Sequence, residues 1–484
     1  MSANATNGDD LLAIWGRRAP VLIAVYILAL LILRLSFSPF LEVDEAQFVG
    51  NVDLRLVYAN SHPPLYNWLL RLILELTGWN WSLSTGLLKY ALLGLFHFLT
   101  WDAARRLGGD RAGLLALAAS AFLPQIVWMS VHTLAHSIMV MTGVVALVHA
   151  AVLLAEKPSR AAYAWLGAAA ALGALAKYNF LLFAVPFVGA ILASQRLRSI
   201  VYRRDALIAV GVFTVLTAPV AIAAAMDAAT SLDRISKLYR ADEDLVWYDV
   251  PGVGIDGFLS FLTASIAWAG PALLVWTAAT WWESRRGELP APADHALLRA
   301  LGRPMVASLV IFGLIVLAAD MHRVHERYLT PLLATLPIWL AAARPTGRLS
   351  GWICAVAGVA YIAALIGFWG MASYGKHRYG YDYEAIAAQV RRVSQQPLPL
   401  ISPRHDDRAN MVLALGWPGA SSPQTQPVES RAILFWRGRS KPPMRSAPEG
   451  FQPMGEVYTV STPFRNRREE STVYRFQLIG RPSG

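Results

Sequence analysis

Residues 134–155 read LAHSIMVMTGVVALVHAAVLLA, an apolar run that contains no aspartate, glutamate, lysine or arginine. A helix needs about 20 such residues to cross the hydrocarbon core of a bilayer. Comparable runs recur through the first three-quarters of the chain, so the sequence predicts an all-α polytopic membrane protein. We expect about 11 transmembrane helices, at 19–37, 84–101, 111–130, 134–155, 161–176, 178–194, 206–226, 257–282, 304–319, 329–343 and 351–372.

The composition supports a membrane protein and argues against a nucleic-acid partner. Of the 484 residues, 55% are hydrophobic and only 15% are charged, whereas a soluble domain has about 25% charged residues. The formal net charge is +11. No phosphate-binding glycine loop, zinc-ligand spacing or RNA-binding aromatic signature accompanies this charge. Lysines and arginines retained in cytoplasmic loops explain it more simply.

The distribution of basic residues predicts the orientation of the chain in the membrane. Loops on the side of Arg17, Arg105 and Arg203 carry roughly twice as many lysines and arginines as the loops on the other side, and cytoplasmic loops are the ones enriched in these residues. The N-terminus is therefore predicted to be cytoplasmic. An odd number of spans then places the C-terminus of this multi-pass protein on the outer side of the membrane.

The composition changes near Tyr374, where polar residues, prolines and short β-like runs replace the apolar blocks. We therefore predict a transmembrane domain over 1–373 and a small α/β extracytoplasmic domain over 374–484. The amphipathic stretch 65–77 is predicted to lie at the membrane interface. The transmembrane domain would carry outer loops at 38–83 and 227–256, and the outer domain a helix at Tyr383–Val393 and strands at Pro397–Ile401, Ala432–Trp436 and Thr472–Leu478.

Three acidic residues follow the first predicted span, in the sequence Glu42-Val43-Asp44-Glu45. Acids at the edge of the hydrocarbon are costly unless they are paired or functional. They could form a solvated cluster at a helix end, or one of them could be a catalytic base. Asp44 and Glu45 are adjacent, so on a helix they point about 100° apart. One would act as the base, and the other would hold an acceptor, a metal or a neighbouring helix.

Other polar residues lie at predicted outer helix ends. The two prolines of His62-Pro63-Pro64 form a rigid elbow, where His62 could bind phosphate or an acceptor hydroxyl, or only cap the elbow. Lys177 could reach toward the interface or neutralise a lipid phosphate. Arg323 and Arg327 precede Tyr328 in a short loop, and the arginine fork matches phosphate oxygens.

Two further groups leave alternatives open. His132 and His136 have the spacing of one helical face, but two histidines alone are a weak metal signal, so a divalent metal at His136 stays an open hypothesis. Trp247 and Tyr248, in the 227–256 loop, could stack on a sugar, or the loop could simply connect two helices. No cofactor is otherwise indicated.

These motifs, in this order, resemble the GT-C membrane glycosyltransferases. The resemblance is to the protein O-mannosyltransferase-like branch, glycosyltransferase family 39, which includes relatives that transfer aminoarabinose or galacturonic acid to lipid A. It covers about residues 10–372 in architecture. The motifs that carry it are Asp44-Glu45 after the first helix, His62-Pro63-Pro64-Leu65, Lys177-Tyr178, and Glu326-Arg327-Tyr328-Leu329-Thr330-Pro331.

The resemblance implies an inverting transfer from a polyprenyl-phosphate sugar donor, in a membrane cavity open to the outer side. It also implies a multi-pass protein of the bacterial inner membrane with a periplasmic C-terminus. The acceptor would be lipid A, the lipopolysaccharide core, another lipid or a protein. Asp44 would be the catalytic base, with Glu45 beside it. The donor phosphate would be bound by Lys177, Arg323, Arg327, Tyr328 and His62. Beside this resemblance, we predict that Tyr66, Tyr178, Trp247 and Tyr248 bind the acceptor or sugar.

The sequence departs from the family pattern at two positions. His62 stands where relatives often carry a lysine, and His136 lies where relatives often carry an aspartate, which leaves metal dependence open. Two other function classes also remain: a transporter or flippase of a lipid-linked glycan, and a structural envelope-assembly subunit. A transporter is typically built from inverted repeats with charges at mid-membrane depth. The sequence instead has no detectable repeat, and its polar residues cluster at helix ends.

Overall fold

A computed structural model of the chain describes residues 3–58, 62–232, 255–287, 295–319, 321, 323–343, 349–375, 378–416, 431–438, 441–464 and 467–481. Within these ranges, seven helices are long and apolar enough to cross a membrane. The predicted polytopic helical fold is confirmed. The seven candidate spans are Leu11–Phe37, Trp81–Ala121, His136–Glu156, Ala206–Met226, Ile255–Ser284, Ala296–Ala318 and Ser350–Tyr374.

The predicted number of about 11 spans is not confirmed. The predicted spans 84–101 and 111–130 form one element, Trp81–Ala121, which departs from helical geometry at Gly108 and Gly109. Gly109 has φ of 82°, a left-handed conformation that glycine adopts without steric cost. Other predicted spans are short apolar helices, at Tyr178–Ala193 and Thr330–Ala342.

The helices are numbered in chain order. They are α1 (Ala3–Phe37), α2 (Val43–Ala46), α3 (Leu65–Leu76), α4 (Trp81–Ala121), α5 (Ser130–His132), α6 (His136–Glu156), α7 (Arg160–Ala176), α8 (Leu181–Ala193), α9 (Arg198–Val201), α10 (Ala206–Met226), α11 (Ala228–Leu232), α12 (Ile255–Ser284), α13 (His295–Ala318), α14 (Thr330–Leu333), α15 (Leu336–Ala343), α16 (Ser350–Tyr374), α17 (Tyr383–Val393) and α18 (His405–Leu415).

The chain divides into two compact units. The first unit comprises Met1–Ala29, Leu54–Tyr66 and Lys89–Ala364. The second comprises Leu30–Asp53, Asn67–Leu88 and Leu365–Gly484. The second unit thus combines the C-terminal residues with parts of the N-terminal third, and the predicted division at 373/374 stays a prediction.

Small residues allow close helix packing in the first unit. Gly143 of α6 lies directly against the backbone of Gly173 in α7, and Gly167 of α7 lies against the carbonyl of Ala209 in α10. Without Cβ atoms the helix backbones can approach closely, which is a common device where helices pack in a membrane. This packing fixes the end of α7, where Lys177 lies.

A four-stranded sheet lies in the second unit, in the order β1-β2-β4-β3. Strand β1 (Leu400–Ile401) pairs parallel to β2 (Arg431–Arg437), and the other pairings are antiparallel. The predicted helix at Tyr383–Val393 is confirmed with the same bounds. The predicted strands coincide with β1, β2 and β4 (Arg467–Gly480), whereas β3 (Gln452–Phe464) and α18 were not predicted.

A buried polar network joins the helices of the sheet region to β2. The hydroxyl of Tyr383 donates a hydrogen bond of 2.8 Å to Oδ1 of Asp407, and Nε of Arg437 lies 3.7 Å from Oδ2 of the same carboxylate. Burial raises the pKa of Asp407, although the charge of Arg437 lowers it. The network therefore ties the first turns of α17 and α18 to the end of β2.

Candidate functional site

A buried arginine holds the loop that follows α1. Arg34 lies in the last turn of α1 and is 0% exposed, at a helix end that favours a cation. Its Nη2 donates to Oε2 of Glu45 and to the carbonyl of Phe40, both at 2.9 Å. Its Nη1 donates to the carbonyl of Ser38 and to Oγ of Ser82, both at 3.0 Å. One guanidinium thus fixes the loop from Ser38 to Glu45.

Glu45 contacts a neighbouring helix, which was one of the three roles left open for the second acid. It is 0% exposed. Its Oε2 accepts the Arg34 bond and also a bond of 3.1 Å from the backbone N–H of Glu42. The second bond completes a capping box at the start of α2, the arrangement that satisfies helix N–H groups reciprocally. Breaking one side of such a buried pair costs about 3–5 kcal/mol.

Asp44 lies on the same turn, between Val43 and Glu45. It is 7% exposed, and its carbonyl accepts a hydrogen bond of 2.7 Å from Nε2 of Gln47. The alternative of a solvated carboxylate cluster is therefore wrong, because Glu42, Asp44 and Glu45 are all buried. A carboxylate held in a buried, anchored turn has a defined direction, as a general base requires.

The proline elbow brings together three predicted residues of the first unit. Pro63 and Pro64 precede the first residue of α3, as expected where proline ends or starts a helix. The ring of His62 lies 3.9 Å from the ring of His136, centre to centre. The ring of Tyr66 lies 6.5 Å from the ring of His136 and is almost fully buried. These three side chains form one aromatic cluster.

The prediction that His132 and His136 share one helical face is wrong. His132 ends α5 and His136 begins α6, and Ala135 between them has φ of −120° and ψ of −87°. The helix is interrupted there, so the spacing of four does not bring the two rings onto one face. Within the described ranges, no group of three or more His, Cys, Asp or Glu residues could hold a metal. The described residues therefore supply no set of ligands that could bind a metal together with His136.

Lys177 lies in an extended turn directly after α7. Its φ is −165° and its ψ is 135°, and its N–H donates to the carbonyl of Gly173. The side chain is 6% exposed. Its Nζ lies 3.4 Å from Oγ of Ser137 and 5.8 Å from the ring centre of Tyr328.

Arg327 approaches the same tyrosine. Its Cζ lies 5.9 Å from the ring centre of Tyr328, and Nδ2 of Asn179 donates to the Tyr328 carbonyl at 3.3 Å. The structure therefore brings Lys177, Arg327 and Tyr328 together, as the phosphate-site prediction requires. We call Lys177, Ser137, Arg327 and Tyr328 the cation cluster.

The remaining predicted site residues do not belong to the cation cluster or to the aromatic cluster. Arg323 and Tyr178 are exposed. Trp247 and Tyr248 lie outside the described residues, and so does most of the predicted 227–256 loop. Asp44 and Glu45 belong to the second unit, and the cation cluster to the first.

Sequence reasoning missed two buried cations inside predicted spans. Arg34 lies in the span 19–37, and Lys89 lies in the span 84–101, with Nζ 5.6 Å from the ring centre of Tyr90. Both are fully buried. An ionisable residue within a membrane segment is a functional or structural signal by default. Applying that rule to every span would have found both.

The chain is similar to known membrane glycosyltransferases in sequence. Residues 61–222 match the family described as dolichyl-phosphate-mannose-protein mannosyltransferase. The lipopolysaccharide core galacturonosyltransferase RgtA of Rhizobium johnstonii is 32% identical over 336 residues, which are 67% of this chain and 64% of that protein. The core galacturonosyltransferase RgtB of the same organism is 26% identical, over 68% of this chain and 66% of its own length.

The fold is that of a solved membrane enzyme. The crystal structure of ArnT from Cupriavidus metallidurans bound to undecaprenyl phosphate aligns with a TM-score of 0.60 and 15% identity, over 94% of this chain and 97% of ArnT. The chain therefore shares the fold of ArnT. The predicted resemblance to GT-C membrane glycosyltransferases is confirmed by these similarities. The chain matches less than two-thirds of the length of either Rhizobium relative.

Gly173 sits in a tightly packed position at the end of α7, next to the turn that carries Lys177. A Cβ at Gly173 would overlap the ring of Phe180, which closes the Lys177 turn. We expect Gly173→Ala to lower the free energy of unfolding by about 1–3 kcal/mol and to shift Lys177. The thermal unfolding of the purified full chain measures the first effect.

Gly189→Ala is the matched control for Gly173→Ala. Gly189 lies in α8, and an added Cβ there would meet nothing within 4 Å. Alanine in an open helical position stabilises by about 0.5–1 kcal/mol. Equal unfolding temperatures for the two variants would show that Gly173 does not constrain the turn.

Proposed function

We propose that this chain is an inverting glycosyltransferase. It would move a sugar from a polyprenyl-phosphate donor to a hydroxyl or phosphate group of an envelope acceptor, on the outer face of the bacterial inner membrane. The names of the Rhizobium relatives make galacturonic acid the first sugar to test and the lipopolysaccharide core the first acceptor. The undecaprenyl phosphate bound to ArnT supports a polyprenyl-phosphate carrier.

The observation that carries this proposal is the pair of cations on one tyrosine ring. Lys177 and Arg327 both lie within 6 Å of the Tyr328 ring centre, at 5.8 and 5.9 Å. Two like charges in a partly buried site repel each other, and the repulsion grows as the local dielectric constant falls. An anion bound near both cations attracts each of them and offsets this repulsion. A phosphate suits the site because ammonium and guanidinium groups both bind phosphate oxygens.

The chemistry divides between a base and a leaving-group site. Asp44 would accept the proton of the acceptor hydroxyl as that oxygen attacks the anomeric carbon from the face opposite the phosphate. The bond from the anomeric carbon to the phosphate oxygen then breaks, and polyprenyl phosphate leaves with the bonding electrons. Lys177 and Arg327 would stabilise the negative charge that develops on the leaving phosphate. An attack from the opposite face inverts the anomeric configuration.

The base assignment predicts the behaviour of Asp44→Asn. This change keeps the size of the side chain and one acceptor oxygen but replaces the other oxygen by an NH₂ group, which cannot act as a base. We expect the rate of sugar transfer to fall roughly 10²–10⁴-fold. Mass spectrometry of a lipopolysaccharide core acceptor incubated with purified chain and polyprenyl-phosphate galacturonic acid measures this rate.

Asp53→Asn is the matched control, since it makes the same chemical change further along the same loop. It should transfer sugar at nearly the wild-type rate. Wild-type transfer by a correctly folded Asp44→Asn variant would refute the base assignment.

The phosphate assignment predicts that Lys177→Ala weakens donor binding. Removing one charged hydrogen bond costs about 1.5–3 kcal/mol, which corresponds to roughly 10–100-fold in the dissociation constant of undecaprenyl phosphate. Titration of the purified full chain with this lipid measures the constant.

Lys157→Ala provides the control, because Lys157 is exposed and lies at the opposite end of α6 from Ser137. It should leave the constant unchanged. Equal losses in the two variants, or a larger loss of acceptor binding than of donor binding in Lys177→Ala, would contradict the assignment.

A further inference from the structure

A second pocket lies in the first unit, at the opposite end of α6 from the cation cluster. Helix α6 has 21 residues, from His136 to Glu156, so it is about 31 Å long at 1.5 Å per residue. This length matches the hydrocarbon thickness of a bilayer. His136 lies at one end, next to Ser137 of the cation cluster. Glu156, at the other end, lines a pocket of about 430 Å³, which therefore lies at the other membrane surface.

The polar wall of this pocket has an excess of positive charge. Arg106, Arg196 and Arg203 line it together with a single carboxylate, Glu156. Nη1 of Arg106 donates to Oε2 of Glu156 at 2.6 Å, so these two charges offset each other. Within the part of the chain that the structure describes, Arg203 forms no salt bridge. With three arginines against one carboxylate among its lining residues, the wall is positive.

A buried network holds Arg106 in place. Nε of Arg106 lies 2.6 Å from Oδ2 of Asp102, and Nε2 of His149 lies 2.9 Å from the same oxygen. Nε1 of Trp165 donates to Nδ1 of His149 at 3.2 Å. Nδ1 therefore accepts, which leaves Nε2 to carry the proton that His149 donates to Asp102. The network joins α4, α6 and α7 and orients the Arg106 guanidinium before any ligand binds.

The rest of the pocket is lined mainly by apolar residues. Leu154, Leu197, Ile200 and Leu297 line it with buried side chains. Tyr202 follows the pocket segment and is 74% exposed, as is typical of aromatic residues at a membrane interface. Pro158, another lining residue, precedes the N-terminus of α7, whose helix dipole favours an anion.

We propose that this pocket binds the phosphodiester headgroup of an anionic membrane lipid, from the leaflet opposite the cation cluster. Arg196 and Arg203 would hold the phosphate oxygens, and the arginine fork suits bidentate contact with them. The first acyl carbons would lie on Leu197 and Ile200. Free phosphate shares the charge chemistry but leaves the apolar wall unused. The site is independent of the proposed transfer reaction, because no residue of that reaction lines it.

The double variant Arg196→Gln/Arg203→Gln tests this site. The purified full chain is exchanged into mixed vesicles of phosphatidylcholine and phosphatidylglycerol, re-extracted and analysed by native mass spectrometry for retained lipid. We expect wild-type protein to retain phosphatidylglycerol preferentially. The double variant should lose this preference by about tenfold or more, since each lost charged contact with phosphate is worth about that factor.

Arg198→Gln/Arg204→Gln is the matched control, because both arginines are exposed on the same segment and neither lines the pocket. It removes the same net charge and should keep the lipid preference of the wild type. Equal losses of lipid preference in the two double variants would show that diffuse surface charge causes the binding, and would refute the proposed site. Displacement of phosphatidylglycerol by millimolar inorganic phosphate would overturn the lipid assignment. Undecaprenyl phosphate binding should stay unchanged in both double variants.

Discussion

The guanidinium of Arg34 and the carboxylate of Glu45 form an ion pair where neither side chain touches solvent. Removing two charges from water is expensive, and the pair is tolerated only if further hydrogen bonds satisfy both groups. Arg34 obtains these bonds from the Ser38 and Phe40 carbonyls and the Ser82 hydroxyl, and Glu45 obtains one from the Glu42 N–H. All of these groups lie on or beside the loop that carries Asp44. The ion pair therefore gives a short segment after a membrane helix one fixed conformation, which a hydrophobic contact alone would not specify.

The cation cluster is fixed by a different kind of constraint. Here steric fit does the positioning: Gly143 and Gly173 let α6 and α7 approach, and Phe180 packs on Gly173 where the chain turns. Lys177 lies in that turn, and it meets Tyr328 from a segment about 150 residues later. The proposed phosphate site thus depends on glycines that take no part in the chemistry. The basic pocket at the other end of α6 depends again on polar contacts, through Asp102 and His149.

The sequence was most informative where a local pattern determines the structure. The apolar runs predicted the polytopic fold, and apolar residues at helical spacing predicted the helix Tyr383–Val393 with its observed bounds. The polar residues at helix ends included Lys177, Arg327 and Tyr328, which the fold brings together. The C-terminal strand β3 was not predicted. Most of its side chains are exposed, so its sequence lacks the apolar alternation of a half-buried strand.

Long-range contacts were the features that the sequence could not supply. Spacing alone suggested that His132 and His136 share a face, but a break at Ala135 separates them. The ring contact between His62 and His136 joins segments far apart in the chain. The sequence also did not predict that Arg34 pairs with Glu45, because Arg34 lies within a predicted membrane span whose average hydropathy is apolar. Such pairings follow from tertiary packing, for which a single sequence carries no direct signal.

The Arg34–Glu45 ion pair should hold the loop of Asp44 as a pair, and not through two independent residues. A double-mutant cycle of thermal unfolding on the purified full chain measures this coupling, with Arg34→Met, Glu45→Leu and the combination of both. Each single variant leaves one buried charge without its partner, at a cost of about 3–5 kcal/mol, whereas replacing both charges by apolar side chains is often close to neutral. We expect the double variant to unfold at a higher temperature than either single variant. A double variant whose destabilisation equals the sum of the two single losses would contradict it.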